Sequence, residues 1–553
     1  MLDLVIRNGL VVDGSGLPAF RGDLGIRDGR IRHVGGRLDG RARSEIDARG
    51  RVVAPGFIDP HTHFDAQILW DGQARPALEH GVTTVVHGNC SLSLAPLRAE
   101  HRPKLVKMFQ QIEEMPDAAF DGAFEWTWEG FADYVAALRG KVAVNVAPLA
   151  GHSVIRLWTM GPDAQKRAAT RDELTAMQDL LRDCLEAGAV GLSTSYVDVD
   201  ENLFPVPSRF AHHEEVAALA EVLGEYGRML QVVPEFYNTD ITLARVDQLA
   251  DLSLAHGIPT TFSPLFDSSL APDNVTRILA RVAEQFARGA QVWPQVQTRP
   301  IDISFSLDQA SLFFVATPIW YMILRLPREQ RLAALRSDGT RKALVDAAEP
   351  RGDTRRFAQL RVRDSRDASL IGRTLGEIAE ERGTTPAGAM IDLSLEEDLG
   401  VHFLAASMGH EDSSRIGPIL ANELVHVGAS DAGAHIQSFA TYGDTGYLFS
   451  EFVRKGGHLS LEHAVKKITG DTARIWNLPN RGLLRPGQAA DVVVFDPDAI
   501  GRGAELPARD MPEGGMRYVR SASGVDTVVV NGRVTWSAAE GYTEERPGTL
   551  ATL

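Results

Sequence analysis

His61 and His63, two histidines separated by one residue, form the first part of the sequence with a clear chemical use. They close an apolar run, 52–63, and side chains two residues apart on a strand point to the same face. Two imidazoles on one face suit a divalent metal ion. A surface His-x-His pair would look the same, but the preceding segment APGFIDP strengthens the signal. We therefore predict that His61 and His63 are metal ligands.

Cys90 and Asp431 each end another apolar run and are candidates for the same site. The thiol of Cys90 is either a soft metal ligand or a small buried apolar group. A carboxylate at Asp431 could bind the metal and take a proton from its water, whereas the alternative is a turn aspartate that caps a helix. We predict that both residues belong to the metal site.

Five other polar residues end runs of the same kind: His152, Tyr196, Glu235, Arg299 and His435. His152 could act in catalysis by orienting substrate or polarising a carbonyl, or it could be a structural histidine. Tyr196 could donate a hydrogen bond to an oxyanion, or it could pack. Arg299 could pair with a substrate carboxylate or form an ordinary salt bridge. Glu235 and His435 are weaker candidates for substrate binding.

The elements that must position these residues are apolar runs separated by helical patterns such as RDELTAMQDLLRDCLEAG. Alternating strands and helices imply a parallel sheet, and eight such units suggest a (β/α)8 TIM barrel, which places catalytic residues at the carboxyl ends of its strands. The eight runs are 52–63, 81–90, 142–152, 189–196, 228–235, 258–265, 290–299 and 424–435.

Regions outside the barrel pattern suggest two additions to it. Residues 1–55 and 480–553 read as short strands with Gly and Asn turns, and we predict that both termini form one small β-sandwich domain beside a barrel at 56–479. Residues 300–423 are too long for a loop, so we predict an inserted helical subdomain between strands 7 and 8, over the active-site face. Its most apolar part, 311–323, is either buried packing or a substrate-facing wall.

The amino-acid composition argues against several classes of function. The 553 residues are 44% hydrophobic and carry a net charge of −16, which argues against a nucleic-acid or anionic-membrane partner. Two cysteines exclude a disulfide framework. The amino terminus lacks the pattern of a secretory signal, and no apolar stretch approaches the length of a membrane span. We expect a cytoplasmic protein that acts on a small molecule, with a homo-oligomer left open.

Several motifs together resemble the amidohydrolase superfamily, and within it the D-aminoacylase branch of N-acyl-D-amino-acid deacylases. They are APGFIDPHTHFDAQ, GNC, GHSVIR, GLSTSY, SDAGAH, KKITGDTARIWNL and GLLRPGQAADVVVFDP, and they span nearly the whole chain. The resemblance implies a (β/α)8 barrel with a β-sandwich from both termini, and hydrolysis of an N-acyl amide by a metal-activated water. It makes His61, His63, Cys90 and Asp431 metal-site positions, with Asp431 as general base and acid.

The sequence departs from this branch at two ligand positions. The branch places a histidine at the end of the fifth strand and another at the end of the sixth, where this chain has the stretch around Gln231 and Ser263-Pro264. No lysine between 167 and 341 could supply the bridging carboxylated lysine of other amidohydrolases. We therefore predict one Zn²⁺ per chain, with Glu235 as a possible replacement ligand.

The predicted function is hydrolysis of the amide bond of a small N-acyl compound, most plainly an N-acyl-D-amino acid. One alternative is a hydrolase of another C–N bond, such as a cyclic amide, or a metal-dependent lyase. Another is an inactive barrel that serves as a binding or assembly subunit. Retention of His61, His63 and Asp431 argues against the inactive barrel, since a dead relative need not keep all three.

Overall fold

A computed structural model describes residues 1–268, 271–314, 317–348, 354–428 and 430–551. The chain divides into two compact units. The larger contains Met1–Arg299, Asp412–Ile436 and Ala440–Leu553, and the smaller contains Pro300–Glu411 and Gln437–Phe439. Residues 412–423, which the sequence analysis placed in the insertion, lie in the larger unit.

The described chain contains strands distributed from end to end. The strands are β1 (Leu2–Val11), β2 (Phe20–Arg27), β3 (Arg30–Val34), β4 (Ala42–Asp47), β5 (Val52–Pro55), β6 (Phe57–Asp59), β7 (Val82–His87), β8 (Asn145–Pro148), β9 (Ala150–Gly151), β10 (Gly191–Ser195), β11 (Met229–Val233), β12 (Thr260–Phe262), β13 (Val292–Val296), β14 (Ile303–Phe305), β15 (Arg361–Asp364), β16 (His402–Ala405), β17 (His426–Val427), β18 (Val492–Phe495), β19 (Gly501–Ala508), β20 (Arg517–Ser523), β21 (Val525–Val530), β22 (Arg533–Ser537) and β23 (Gly541–Tyr542).

Helices alternate with these strands over most of the chain. The α-helices are α1 (Gln67–Trp70), α2 (Arg102–Ile112), α3 (Phe131–Leu138), α4 (His152–Met160), α5 (Arg171–Glu186), α6 (His213–Tyr226), α7 (Thr239–His256), α8 (Asn274–Ala287), α9 (Pro318–Leu324), α10 (Arg328–Arg336), α11 (Asp338–Ala348), α12 (Thr354–Gln359), α13 (Leu375–Arg382), α14 (Pro386–Glu396), α15 (Ser413–Ala421), α16 (Asp444–Tyr447), α17 (Leu461–Lys467) and α18 (Gly470–Ile475). Within the described ranges, no helix combines the length and apolar character needed to cross a bilayer.

Eight parallel segments in chain order form the barrel, where β8 and β9 count together as one segment. Strands β6, β7 and β8 pair in one arc, and β9, β10, β11, β12, β13 and β17 pair in another. Leu149 alone separates β8 from β9, and a parallel bridge between Thr62 and Ala432 joins the first segment to the last. Each of the eight predicted runs contains one of these segments, so the predicted (β/α)8 fold is confirmed. Ala429, in the eighth run, is outside the described residues.

Helix α5 shows how the barrel helices form and pack. Thr170 accepts a hydrogen bond from the backbone of Glu173, whose side chain accepts one from the backbone N–H of Thr170, so a capping box starts the helix. Met177, Leu181 and Cys184 then recur at helical spacing and are buried. Cys184 is therefore a core residue of this helix, as its sequence context indicates.

Both ends of the chain meet in one nine-stranded sheet. Its order is β23-β22-β21-β18-β5-β1-β2-β3, with β4 paired to β1. Strands from the two ends share one apolar cluster that includes Leu4, Ile26, Val492 and Val529. Gly56 separates β5, in this sheet, from β6, in the barrel, and a Cβ at that position would lie 2.2 Å from the Thr83 hydroxyl. The predicted β domain from both termini is confirmed in this form.

The smaller unit has its own core. It contains α9–α14 and a three-stranded antiparallel sheet of order β14-β16-β15, which the sequence analysis did not anticipate. Phe313, Phe314 and Trp320 of the run 311–323 are buried in this core, whereas Met322 of the same run is 63% exposed. Residues 315 and 316 of that run are outside the described residues.

Candidate metal centre

The segment after β6 places His61 and His63 at the carboxyl end of the barrel, where both side chains are buried. Backbone bonds lock this segment to the loop after β17: His63 N–H donates to Ala432 O over 2.7 Å, and Asp431 N–H donates to His61 O over 3.1 Å. Asp431 has a φ of 62°, a left-handed conformation that turns the loop over the two imidazoles. The ends of the first and last strands therefore meet at one point.

Asp431 and Cys90 complete a cluster around the Nε2 atoms of the two histidines. Asp431 Oδ1 lies 3.3 Å from Nε2 of His61 and 3.5 Å from Nε2 of His63. Cys90 Sγ lies 3.6 Å and 3.7 Å from the same two atoms. The structure thus brings together the four residues that the sequence predicted as metal ligands.

The spacing of these donor atoms fits a metal ion. In tetrahedral zinc sites with Zn–N near 2.0–2.1 Å and Zn–S near 2.3 Å, nitrogen and sulfur ligands lie about 3.6 Å apart, and nitrogen and oxygen ligands about 3.3 Å apart. The distances above match these values, and the donor atoms of His61, His63 and Cys90 all lie within 4.8 Å of one another. Imidazole, thiolate and carboxylate together suit zinc.

Outer groups lie beside the Nδ1 atoms of both imidazoles, although neither Nδ1 of His63 nor Oε1 of Glu113 has a hydrogen-bond partner among the described residues. Nδ1 of His63 lies 3.4 Å from Oε1 of Glu113, a carboxylate that is 2% exposed. Nδ1 of His61 lies 3.1 Å from the hydroxyl of Ser263. Metal-bound histidines usually have such a partner on the second ring nitrogen, which orients the ring toward the metal.

The electrostatics of the site also favour a cation. Burial raises the pKa of Asp65 to about 7 and that of Asp198 to about 6, and it raises the pKa of Glu113 well above its ordinary value. Asp65 Oδ1 and Asp198 Oδ2 are buried without a hydrogen-bond partner among the described residues. A bound cation would compensate this concentration of buried carboxyl groups.

Asp431 differs from its neighbours in charge state and in access. Burial raises the pKa of Asp431, but the bond with His63 and the charges of both imidazoles outweigh burial and hold the pKa below its usual range. Its side chain is 33% exposed, against 3% for His61 and 1% for His63. Asp431 therefore faces the open side of the cluster as a carboxylate.

His435 borders the cluster on the same loop. Its Nε2 lies 3.8 Å from Oδ2 of Asp431, and its Nδ1 lies 3.2 Å from Glu114. Burial lowers the pKa of His435, but Glu114 and Asp431 raise it above its ordinary value overall. The structure places this predicted substrate-binding residue beside Asp431.

His152 lies apart from the cluster and is fully buried. Its Nδ1 lies 2.9 Å from the Thr194 hydroxyl, and its Nε2 lies 2.9 Å from Glu215. Arg156 donates to the same Glu215 carboxylate. Since both ring nitrogens have protein partners, the geometry supports a structural histidine, and we leave His152 out of the proposed catalytic set.

Tyr196 and Glu235 both contact the side chain of Arg245. The Arg245 guanidinium lies 3.3 Å from the centre of the Tyr196 ring and donates to Glu235 over 2.8 Å. Burial raises the pKa of Tyr196. The carboxylate of Glu235 is bound to Arg245, and a role for Glu235 as replacement ligand stays a prediction. Catalytic or substrate-binding roles for Tyr196 and Glu235 stay predictions.

Arg299 is buried and paired within the larger unit. Its Nε donates to Asp444 Oδ1 and its Nη2 to the carbonyl of Ser430, each over 2.7 Å. Arg299 therefore forms a buried salt bridge and not a surface one. Its guanidinium is not freely accessible to a substrate carboxylate. Arg299 instead supports the loop that carries Asp431.

Sequence reasoning missed two acidic residues of the site. Glu113 directly follows α2, in the connection between β7 and β8, so a search of strand ends does not find it. Asp198 lies three residues past the end of β10 and was within reach of that search.

Comparisons with known proteins identify relatives over most of the chain. A model described as "Amidohydrolase family" matches residues 44–251 and 329–536. A D-aminoacylase of Alcaligenes xylosoxydans xylosoxydans is 30% identical over 99% of this chain and 97% of its own length.

Two solved structures with matching folds concern metal-dependent relatives. The N-acyl-D-glutamate deacylase of Bordetella bronchiseptica, complexed with zinc and a phosphonate inhibitor that mimics the tetrahedral intermediate, is 27% identical, with full coverage of both chains and a TM-score of 0.68. A D-aminoacylase structure with the same identity, coverage and TM-score is described as having a binuclear metal centre, with one-metal activation and second-metal attenuation.

Proposed function

Because this chain belongs to the amidohydrolase family, in its D-aminoacylase branch, we propose that it hydrolyses N-acyl amino acids, preferring the D enantiomers. Hydrolysis of carbon–nitrogen bonds other than peptide bonds is the activity of its named relatives. The observation that carries the proposal is the position of Asp431, which contacts Nε2 of both His61 and His63 while its carboxylate faces the open side.

One zinc ion per chain is part of the proposal. His61, His63 and Cys90 would hold it, since their donor types and spacing fit that ion, and Asp431, which lies beside both histidines, would be the fourth ligand. When bound, zinc would lower the pKa of a water molecule toward neutrality and polarise the amide carbonyl. Ser263 contacts the second ring nitrogen of His61, and Glu113 lies beside that of His63.

Asp431 carries the proton transfers. Its pKa lies below the usual range, so it is ionised at neutral pH and accepts a proton from the attacking water. The same carboxyl then donates that proton to the leaving amine, which leaves as a neutral group. Nε2 of His435 lies 3.8 Å from Asp431 Oδ2, and this carboxylate is one of the groups that raise the pKa of His435.

Steady-state kinetics on a substrate panel test the proposal. The panel contains N-acetyl-D-amino acids, their L enantiomers and cyclic amides, assayed with zinc-loaded protein. We expect kcat/KM for at least one N-acetyl-D-amino acid to exceed that of its L enantiomer and of every cyclic amide. A preference for cyclic amides, or no turnover on any N-acetyl amino acid, would contradict the proposal.

Asp431→Asn tests the proton-transfer role within that assay. Removal of a general base typically lowers the rate by about 10²–10⁴-fold, and we expect a loss in kcat of that size with the fold retained. Asp121→Asn, at an exposed site, is the matched control and should keep full activity. Full activity in Asp431→Asn would contradict the proposed mechanism.

A further inference from the structure

Gln231 and Ser263 form a hydrogen-bonded pair behind His61. Gln231 lies on β11 and Ser263 directly after β12, and they are 0% and 2% exposed. Gln231 Nε2 donates to Ser263 Oγ over 3.2 Å, and the same hydroxyl lies 3.1 Å from Nδ1 of His61. Ser263 N–H donates to Val232 O over 3.0 Å, which fixes the backbone from which the hydroxyl extends.

The pair bears on the ring tautomer of His61. A neutral imidazole can offer a lone pair at Nε2 only when its proton is on Nδ1. At 3.1 Å, Ser263 Oγ is placed to accept that Nδ1–H, and the Gln231 amide fixes the direction of the hydroxyl. Nε2 of His61 then faces Cys90 and Asp431.

The same two residues are poor metal ligands. Zinc sites in proteins are built from histidine nitrogen, cysteine sulfur and carboxylate oxygen, whereas Gln231 and Ser263 offer a neutral amide and a neutral hydroxyl. The amide nitrogen of Gln231 is bonded to the Ser263 hydroxyl, and that hydroxyl also lies beside His61. The pair is therefore suited to orienting a ligand and unsuited to binding a second ion.

We infer that Ser263, supported by Gln231, is a positioning residue of the metal centre, which holds His61 with its proton on Nδ1 and Nε2 directed at the metal. The inference rests on the proposed function to the extent that His61 is a metal ligand. It concerns His61 alone, since Nδ1 of His63 has no hydrogen-bond partner among the described residues.

Zinc affinity of full-length Ser263→Ala, measured by competition with a chromogenic chelator, tests the inference. Loss of a partner on the second ring nitrogen typically weakens metal binding by about 10–100-fold, and we expect a loss in that range. Ser263→Thr keeps the hydroxyl and should bind zinc within about threefold of the wild type. Ser253→Ala removes a buried hydroxyl bonded to Ile258 O, away from the cluster, and should leave the affinity unchanged.

A second readout reports the ligand geometry. Cobalt(II) in place of zinc gives visible absorption bands that depend on the arrangement of ligands, and we expect these bands to change in Ser263→Ala and to return in Ser263→Thr. If Ser263→Ala does not fold, Gln231→Met replaces it, with an expected loss of about 3–10-fold in zinc affinity, smaller because it removes only the supporting bond.

The outcomes separate this inference from the proposed function. Wild-type affinity and cobalt spectrum in a folded Ser263→Ala would overturn the positioning role, even if the protein hydrolyses N-acyl amino acids. Weakened binding in Ser263→Ala, with Ser263→Thr and Ser253→Ala normal, would establish it, even if no N-acyl amino acid is turned over.

Discussion

Oε1 of Glu113 lies 3.4 Å from Nδ1 of His63, although Glu113 follows a helix and His63 follows the first barrel strand. Both side chains are almost completely buried. The contact brings the long connection between β7 and β8 next to the metal cluster, and it places a carboxyl group beside the second ring nitrogen of His63, where zinc-binding histidines commonly have a partner.

Glu113→Gln should weaken zinc binding by about 10–100-fold, because a bound cation would stabilise the ionised form of Glu113, and an amide has no ionised form. Chelator competition measures the change. Glu125→Gln, an exposed substitution in the same connection, is the control and should bind zinc as the wild type does. Equal affinities in the two variants would remove Glu113 from the metal centre.

Wild-type protein should contain about one zinc per chain, and the double variant His61→Ala/His63→Ala should contain none. Two of the clustered donors are lost in that variant, and the remaining thiol and carboxylate do not form a closed site. Inductively coupled plasma mass spectrometry on untagged protein gives the count. Two zinc ions in the wild type would show that residues outside the proposed set build a second position.

Gln231→His/Ser263→His should raise the metal content from about one toward two zinc ions per chain. The two positions are neighbours, 3.2 Å apart in the present side chains, and the D-aminoacylase branch is expected to carry ligand histidines at these strand ends. Metal analysis after equilibration with excess zinc and removal of unbound ion checks the count. A content that stays near one would mean that replacing these two side chains is insufficient for a second site.

Arg299→Ala should destabilise the fold and not simply raise KM. Breaking a buried ion pair by removing one partner typically costs about 3–5 kcal/mol, and Arg299 is 3% exposed beside Asp444. Urea unfolding of Arg299→Ala, Asp444→Ala and the double variant gives a double-mutant cycle. We expect the double variant to lose less stability than the sum of the two single variants. Additive losses would show that the pair does not couple.

Acid should weaken the contribution of Glu215 to stability. Burial raises its pKa, but the bonds from His152 and Arg156 outweigh burial and lower it to about 2, from an ordinary value of 4.5. The ionised carboxylate therefore contributes roughly 3 kcal/mol above about pH 4.5, and this contribution is lost as the pH falls through about 2. Urea unfolding of Glu215→Gln against wild type at pH 7 and pH 3 should show the smaller difference at pH 3.

The exposed neighbour Glu214 provides the control for that measurement. Glu214→Gln should leave the unfolding free energy nearly unchanged at both pH values, because the side chain is exposed at the first turn of α6. A difference between Glu215→Gln and wild type that does not shrink in acid would contradict the assignment of the lowered pKa.

The fold was predictable from the sequence because buried parallel strands read as apolar runs, and each of the eight runs contains a barrel segment. The four proposed metal ligands were predictable for a related reason. Strand ends converge in a barrel, so polar residues that close successive runs, such as His63 and Asp431, meet in space.

Residue type and position did not reveal what each side chain contacts. His152 and Arg299 both end apolar runs, yet His152 is bonded to Thr194 and Glu215, and Arg299 is bonded to Asp444. These partners lie on other elements, and no local sequence pattern predicts them. Glu113 was missed for the opposite reason, since it contacts His63 from a connection that carries no strand.

The pairing of β5 with β18 sets a condition on how the protein is made. Val52 of β5 is bonded to Phe495 of β18, roughly 440 residues later in the chain. At ribosomal speeds of about 5–20 residues per second, the newly made β5 edge waits about 20–90 seconds for its partner. Until β18 has been made, the unpaired backbone groups of that edge can pair with other chains, which favours aggregation. Chaperone demand and heterologous yield should therefore depend on how quickly the end of the message is translated.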